Sequence, residues 1–287
     1  MKKSLSHLPK QKREELKTVV RMMREEFDVE MIILFGSYAR GDWVEELAPD
    51  EFHYTYQSDF DILVVADKKL ANRHRKWDGL KDRFRRSSVV KTPVTLIHHS
   101  IEYLNDQLSK GQYFFSDIKK EGILLYDSGS NELAEEQEMT PEKYRKKAER
   151  HYKKWFESSN EFLTGFKDAS KRKHYKKAAF ELHQATERYY SALLLVLTDY
   201  KPKTHDIEEL GKLVAAQEPK LLEVFPQGTE EERNRFELLR KAYVDARYEE
   251  SYSISKEELE WLESRVTILK DLTVDICTKK IDSFATK

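Results

Sequence analysis

The chain contains 287 residues, of which 39% are hydrophobic and 36% charged, and its formal net charge at pH 7 is -1. A chain of this length is expected to form two compact domains or one large one. The near-neutral charge argues against a globally basic nucleic-acid-binding protein, but it leaves local basic patches open.

Cysteine content and hydropathy bear on the cellular compartment. Cys277 is the only cysteine, so no internal disulfide can form, and we expect this side chain to be buried. The polar stretch after Met1 argues against a signal peptide, and no segment approaches the roughly 20 apolar residues of a membrane helix. We therefore expect a cytoplasmic protein with no membrane partner.

Apolar periodicity in the first 128 residues predicts strands that alternate with helices. In chain order, the predicted elements are a helix at 9–27, a strand at 31–35, a loop at 41–57, a strand at 60–65, a helix at 72–84, a strand at 93–97, a helix at 101–108 and a strand at 123–126. The second strand carries Asp59 and Asp61 at its start. This order of elements is typical of an α/β (α+β) domain.

Composition changes at Ser128-Gly129-Ser130, and an acidic stretch follows at 132–138. These features predict a first domain at 1–128, a linker at 129–140 and a second domain at 141–287. In the second domain, helical periodicity is found at 144–166, at 174–198, from Thr204 as a capping residue, at 230–247, and after Ser255 with Glu258 completing a capping box. The second domain is therefore predicted to be an all-α helical bundle.

Two short motifs in the first domain can form one site. Gly36-Ser37 follows a buried strand, and a glycine there lets the backbone approach a phosphate while Ser37 offers a hydroxyl and backbone N–H groups at the start of a helix. Asp59 and Asp61 lie two residues apart on a strand, so their carboxylates point to the same face. Paired carboxylates repel each other unless a cation binds between them, and Mg²⁺ is commonly held by one or two carboxylates together with phosphates.

The segments Gly36-Ser37-Tyr38-Ala39-Arg40-Gly41 and Ser58-Asp59-Phe60-Asp61 together resemble the motifs of the minimal nucleotidyltransferases of the polymerase-β superfamily. The resemblance implies a mixed sheet and the transfer of NMP from an NTP, with ATP as the expected triphosphate, to a hydroxyl acceptor. It assigns the metal ion, Mg²⁺ or Mn²⁺, to Asp59 and Asp61, which are also the catalytic residues. It assigns the triphosphate to a set of four residues, namely Gly36, Ser37, Arg40 and Ser58. For Arg40 a structural ion pair is an equal alternative, whereas Tyr38, Phe60 and Ile62 are expected to pack in the core.

One element of the family pattern is missing. The family has a third carboxylate on a neighbouring strand, and the matching strand at 93–97 has Thr95 at that point. Neither Glu102 nor Asp117 lies on a predicted strand. His98-His99 can supply a base instead, or can simply end a strand. In the loop at 41–57, Trp43, Phe52, Tyr54 and Tyr56 can cover a nucleobase or anchor the loop.

The second half resembles a HEPN domain, a helical module often found beside minimal nucleotidyltransferases. The resemblance depends on the order of helices, on residues 179–190, on the turn Lys203-Thr204-His205-Asp206 and on Ala246-Arg247-Tyr248. It implies a homodimer through the helical domain. Ribonuclease members of the family use an arginine followed by a histidine five to seven positions later, and no histidine follows His205 in this chain. We therefore do not expect RNA cleavage.

Three functions remain open at this point. The first is an Mg-dependent nucleotidyltransferase acting on a protein or RNA acceptor, with a toxin–antitoxin connection because in some two-chain relatives the transferase modifies a HEPN toxin. The second is a nucleotide-binding regulatory protein with weak or no turnover. The third is an aminoglycoside nucleotidyltransferase, since these enzymes also join such a core to a helical bundle.

Overall fold

The protein is described by a computed structural model that covers residues 1–44, 58–137 and 139–284. The chain divides into two compact units, whose described parts are 1–44 with 58–137, and 139–284. Among the helices in these ranges, none is long and apolar enough to cross a membrane.

The first unit combines four strands with six helices in its described ranges. The strands are β1 (Val29–Phe35), β2 (Phe60–Ala66), β3 (Val94–Ser100) and β4 (Ile123–Asp127). The helices are α1 (Lys10–Glu26), α2 (Gly36–Arg40), α3 (Lys68–Ala71), α4 (His74–Arg85), α5 (Ile101–Ser109) and α6 (Tyr113–Glu121).

The four strands form one mixed sheet in the order β3-β2-β1-β4. β1 runs antiparallel to both β2 and β4, whereas β2 and β3 are parallel. The predicted mixed sheet is therefore confirmed. β2 is buried along its whole length, which explains why it reads as a continuous apolar run after Asp61.

Helices cover both faces of this sheet. α1 and α4 pack on the face that carries Ile32, Ile62 and Val64, and Tyr38 and Phe60 join the same apolar cluster, as predicted for packing residues. α5 and α6 contact β3 and β1. Because side chains alternate along a strand, the buried residues of the opposite face, Ile33, Leu63 and Ile97, point towards these two helices.

Some elements of the first unit differ from prediction. α6 was not predicted, because Tyr113-Phe114-Phe115 gathers its apolar residues in the first turn and leaves a weak helical period. Residues 45–57 of the predicted loop lie outside the described residues, and so do its Phe52, Tyr54 and Tyr56. Residues 131–137 pack back on the unit: Gln137 N–H donates to the Leu108 carbonyl over 3.1 Å, and Lys119 pairs with Glu135 over 3.1 Å.

The second unit is all helical, as predicted. Its helices are α7 (Pro141–Lys171), α8 (Tyr175–Thr198), α9 (Ile207–Ala215), a 3-10 helix (Pro219–Val224), α10 (Glu230–Lys241), α11 (Asp245–Tyr248) and α12 (Lys256–Ser283). α8 is central, because it packs against α7, α9 and α12 and is buried over most of its length. Cys277 is buried on α12, and burial raises the pKa of its thiol to about 12.

Helix ends in this unit partly follow the predicted signals. Ser255 and Glu258 form the predicted capping box of α12. The predicted cap by Thr204 is wrong: Asp206 caps α9 by accepting the Glu208 N–H over 2.9 Å, and Thr204 instead accepts the Asp206 N–H over 3.1 Å. The predicted helix at 230–247 is two helices, α10 and α11, separated by a turn.

Candidate functional site

The two predicted metal ligands lie at the start of β2. Asp61 pairs with Phe35 of antiparallel β1 and with Thr95 of parallel β3, so these three side chains share one face of the sheet. Asp59 directly precedes the strand, and its carboxylate accepts a hydrogen bond from the Thr95 hydroxyl. The two carboxylates interact electrostatically. The sheet register therefore brings together the pair that the sequence predicts.

Gly36 lies directly against Asp61. Its φ of +71° is in the left-handed region, and a Cβ added to it would lie 2.1 Å from Asp61 Oδ2. A side chain at position 36 would therefore displace the Asp61 carboxylate and strain the backbone as well. The glycine is required here because the end of β1 approaches the acidic residue of β2 so closely.

Burial dominates the electrostatics of Asp61. Its side chain is only 6% exposed, and burial raises the pKa of the carboxyl well above its ordinary value, with the nearby Asp59 raising it further and Arg40 lowering it. The charged form is disfavoured because the site is poorly solvated and already holds a second acid. A cation between the two carboxylates would favour that charged form.

We expect Asp61→Asn to stabilise the first unit at neutral pH when no divalent cation is present. Because the folded-state pKa is raised, the folded form binds the additional proton, and the wild-type stability falls as pH rises from about 3.9 through the raised value. Asparagine does not ionise, so the variant does not lose stability in this way as the pH rises. Thermal unfolding in EDTA at several pH values measures it: the variant should melt higher by a few degrees above the raised pKa and equally with wild type in acid. A variant that melts lower across the whole range would contradict this explanation.

Ser37 and Arg40 lie on α2, the helix that begins at Gly36. Ser37 is half-buried, its carbonyl accepts the N–H groups of Gly41 and Asp42, and no side chain caps the first turn of the helix. α2 has only five residues, so the macrodipole expected from the sequence contributes little, and the backbone N–H groups are the remaining donors. Arg40 is exposed, and its Nε lies 3.1 Å from Asp42 Oδ2, so the structural ion pair left open by the sequence is present.

Ser58 and Trp43 hold the two described ends of the connection between α2 and β2. Ser58 is 1% exposed; its hydroxyl accepts the Val44 N–H over 2.9 Å, and its own N–H donates to the Val44 carbonyl over 3.0 Å. Trp43 stacks on Tyr38 with ring centroids 5.4 Å apart. Both residues therefore anchor the loop base in the described structure.

A threonine lies where the resemblance led us to expect a third carboxylate. β3 runs beside β2 as the resemblance requires, and the residue next to Asp61 is Thr95. Within the described ranges there is no group of three or more histidine, cysteine, aspartate or glutamate side chains arranged to hold a metal. The hydrogen bond from the Thr95 hydroxyl to Asp59 was not predicted, because it depends on the register in which β3 pairs with β2.

The histidines considered as bases lie elsewhere. His98 Nδ1 is 2.8 Å from the Ala71 carbonyl, and its ring stacks on Trp77 at 5.0 Å. His99 shares the face of Thr95 but is four residues farther along β3, about 13 Å away at the usual strand rise. Glu102 and Asp117 are on the exposed surface of α5 and α6.

In the second unit, the three segments highlighted by the sequence meet at one place. Glu187 of α8 is 4% exposed, and its Oε2 lies 3.0 Å from His205 Nδ1. The His205 ring stacks on Tyr243 at 4.5 Å, and the Arg247 guanidinium lies 4.6 Å from the same tyrosine ring. Tyr243 was missed by sequence reasoning because it lies between two recognised segments without a motif of its own.

His183 lies behind this cluster. It is fully buried, its Nδ1 lies 3.0 Å from the Leu239 carbonyl, and burial lowers its pKa, so the ring is neutral. Two arginines of α10 have partners within the unit: Arg240 pairs with Glu237 over 2.7 Å, and Arg235 lies 5.2 Å from the Trp261 ring.

Comparison with known proteins identifies the second unit. No curated protein matches the chain. Residues 152–274 match the HEPN domain family, within the range of α7 to α12, and the match does not extend to the first unit. The helical resemblance is therefore confirmed, and residues 152–274 of this chain form a HEPN domain.

Proposed function

We propose that the first unit is a nucleotidyltransferase that binds a nucleoside triphosphate, with ATP as the first candidate, together with Mg²⁺ or Mn²⁺. It transfers NMP to a hydroxyl acceptor on a protein or RNA and releases pyrophosphate. The proposal concerns the residues around Asp59 and Asp61. The HEPN domain at 152–274 accompanies this unit in the same chain.

The observation that carries the proposal is the contact between Gly36 and Asp61. A Cβ at position 36 would lie 2.1 Å from Asp61 Oδ2, so the Gly-Ser turn and the acidic pair are adjacent parts of one site. Backbone N–H groups at such a turn can bind phosphate oxygens, and carboxylates beside them can bind the cation that accompanies the phosphates. A turn and an acid pair in separate places would not support this reading.

The residues also fit a divalent cation. Two carboxylates, one of them nearly buried, form an all-oxygen donor set, and triphosphate oxygens can complete the coordination that Mg²⁺ prefers. Burial and Asp59 raise the pKa of Asp61, which is the electrostatic condition that a bound cation relieves.

The roles of individual side chains follow from their contacts. Asp59 and Asp61 would hold the cation, which when bound neutralises charge on the phosphates. Thr95 would fix the orientation of Asp59 through its hydrogen bond. Arg40 is exposed and within electrostatic range of Asp61, so it can meet a phosphate from the solvent side while keeping its ion pair with Asp42.

A second candidate, a nucleotide-binding regulatory protein with weak turnover, is favoured by one observation. Thr95 occupies the position beside Asp61 where a third carboxylate would act as general base. Binding needs only the Asp59/Asp61 pair and the Gly-Ser turn, whereas rapid transfer also needs the acceptor hydroxyl to lose its proton.

Label transfer separates the two candidates. The whole chain is incubated with Mg²⁺ and each α-³²P-labelled NTP, alone and with cell RNA or protein, and the acceptor fraction is counted. We expect Mg²⁺-dependent incorporation that Asp59→Asn abolishes. Asp78→Asn, which changes an exposed side chain of α4, is the matched control and should leave incorporation unchanged. Tight, Asp59-dependent binding without incorporation supports the regulatory candidate. Neither binding nor incorporation would reject both.

A further inference from the structure

Three cations surround one indole in the helical unit. Lys154 Nζ, the Arg188 guanidinium and Lys201 Nζ lie 5.5, 5.6 and 5.7 Å from the centre of the Trp155 ring. They come from α7, from α8 and from the segment after α8, so the packing of these elements creates the cluster. Trp155 itself is half-exposed, which leaves the group accessible from solvent. We call these four residues the Trp155 cluster.

Arg188 is held in place by packing, not by an acid. Its guanidinium lies 4.6 Å from the Phe162 ring as well as beside Trp155. Its Nε is buried and has no hydrogen-bond partner among the described residues, which also provide no ion pair for this arginine. A buried donor without an acceptor destabilises the fold, so an acceptor supplied by a ligand would be favourable.

Lys201 has two weak acceptors within the described fold, the Pro202 carbonyl at 3.4 Å from its Nζ and the Glu187 carboxylate. Its Nζ is 3.9 Å from Glu187 Oε1, while Glu187 Oε2 already lies 3.0 Å from His205 Nδ1 and 3.4 Å from Gln184 Nε2. Burial lowers the pKa of Lys201, the Glu187 carboxylate raises it, and the positive charge of Arg188 lowers it. Lys201 and Arg188 therefore lie close enough to repel each other, and the nearby Glu187 carboxylate is shared with other donors.

The cations around a second tryptophan, Trp261, provide a comparison. Arg235 and Arg265 lie 5.2 and 6.0 Å from the Trp261 ring. Arg235 pairs with Glu231, and Arg265 donates to the Val224 carbonyl over 2.5 Å. The cations at Trp261 therefore have acceptors within the fold, whereas Lys154 and Arg188 have none among the described residues.

We propose that the Trp155 cluster binds a phosphate group, with Arg188 and Lys201 as its main ligands and Lys154 at its edge. A phosphate carries nearly two negative charges at neutral pH and several acceptor oxygens. This matches a guanidinium whose Nε has no acceptor among the described residues, beside an ammonium whose acceptors are the Pro202 carbonyl at 3.4 Å and a Glu187 oxygen at 3.9 Å. The group can be free phosphate or the phosphate of an ester. The site lies wholly in the helical unit and does not depend on the function proposed for the first unit.

The indole N–H signals of the four tryptophans provide a local readout. In ¹H–¹⁵N spectra of the intact protein, with Trp155→Phe and Trp261→Phe used for assignment, sodium phosphate is titrated at constant ionic strength against chloride. We expect a saturable shift of the Trp155 signal and none of the Trp261 signal. Arg188→Met and Lys201→Met keep the apolar stems and should each weaken the response at least about tenfold, whereas Arg235→Met should not.

Two further arms distinguish the source of the phosphate. AMP that shifts the Trp155 signal at lower concentration than phosphate, while adenosine has no effect, would assign the site to a phosphate ester; equal responses to AMP and phosphate would assign it to the free ion. The proposal is overturned if phosphate leaves the Trp155 signal unchanged, if adenosine alone shifts it, or if Arg188→Met and Lys201→Met respond like the wild type. Dispersed spectra of both variants establish that they are folded.

Discussion

Replacing Asp59 and Asp61 together with asparagine is expected to weaken Mg²⁺-dependent binding of ATP at least about 100-fold, or nearly 3 kcal/mol. The two carboxylates are the acidic groups at the start of β2, and Asp61 is buried against Gly36, so the cation would lose its anionic protein ligands while the turn remained. Asparagine has nearly the same shape as aspartate, and the fold should therefore persist. Isothermal titration calorimetry of the intact chain with ATP and Mg²⁺ measures the affinity.

The matched control removes two carboxylates from another surface of the same unit. Asp78 and Asp82 lie on α4 with exposed side chains, so the variant carrying Asp78→Asn and Asp82→Asn changes the net charge equally. It should bind Mg²⁺ and ATP like the wild type. Equal affinities for the wild type and the Asp59/Asp61 variant would reject the assignment of the site.

Gly36→Ala is expected to abolish triphosphate binding and to destabilise the first unit by about 1–3 kcal/mol. The added Cβ would lie 2.1 Å from Asp61 Oδ2 and 3.0 Å from Asp61 Cγ, at a φ of +71°, so the carboxylate must move and the backbone remains strained. Chemical denaturation measures the stability, and calorimetry with ATP and Mg²⁺ measures the binding.

Gly79→Ala provides the comparison for this change. Gly79 is inside α4, and a Cβ there would have no atom within 4 Å. Because alanine favours helices more than glycine does, this variant should be as stable as the wild type or more stable by up to about 1 kcal/mol, with unchanged binding. If Gly36→Ala behaved like Gly79→Ala, the close contact with Asp61 would not matter for the site.

The sequence was sufficient for the parts of the fold that are encoded locally. The apolar run 31–35 ending at Gly36 and the run after Asp61 correspond to the buried strands β1 and β2. Glu258, three residues after Ser255, marked the start of α12. These signals depend on residues a few positions apart, for which the backbone geometry is fixed by the element itself.

Other features depend on packing between distant segments. Thr95 donates to Asp59 only because β3 pairs with β2 in one register, and His98 is held by Trp77 and Ala71 of neighbouring elements. The position of α9 depends on the choice between Thr204 and Asp206, both suitable caps, which local sequence does not separate.

The contacts around Glu187 in the second unit also depend on packing between segments that are distant in sequence. His205 and Tyr243 are separated along the chain by α9, a 3-10 helix and α10, yet their rings stack at 4.5 Å beside the buried Glu187. Sequence spacing on α8 does place His183 and Glu187 on one helix face, since they are four residues apart. It does not say which residues of α10, α11 or the turn before α9 will meet that face.

The most direct test of the central claim uses Mn²⁺ as a paramagnetic substitute for Mg²⁺. Electron paramagnetic resonance of the intact chain is recorded with Mn²⁺ and a non-hydrolysable ATP analogue, for the wild type and for the variant carrying Asp59→Asn and Asp61→Asn. If these carboxylates hold the cation beside the triphosphate, the wild type will produce a protein-bound Mn²⁺ spectrum, and the variant will give the spectrum of Mn²⁺ and nucleotide in solution. The same protein-bound spectrum from both proteins would contradict the account.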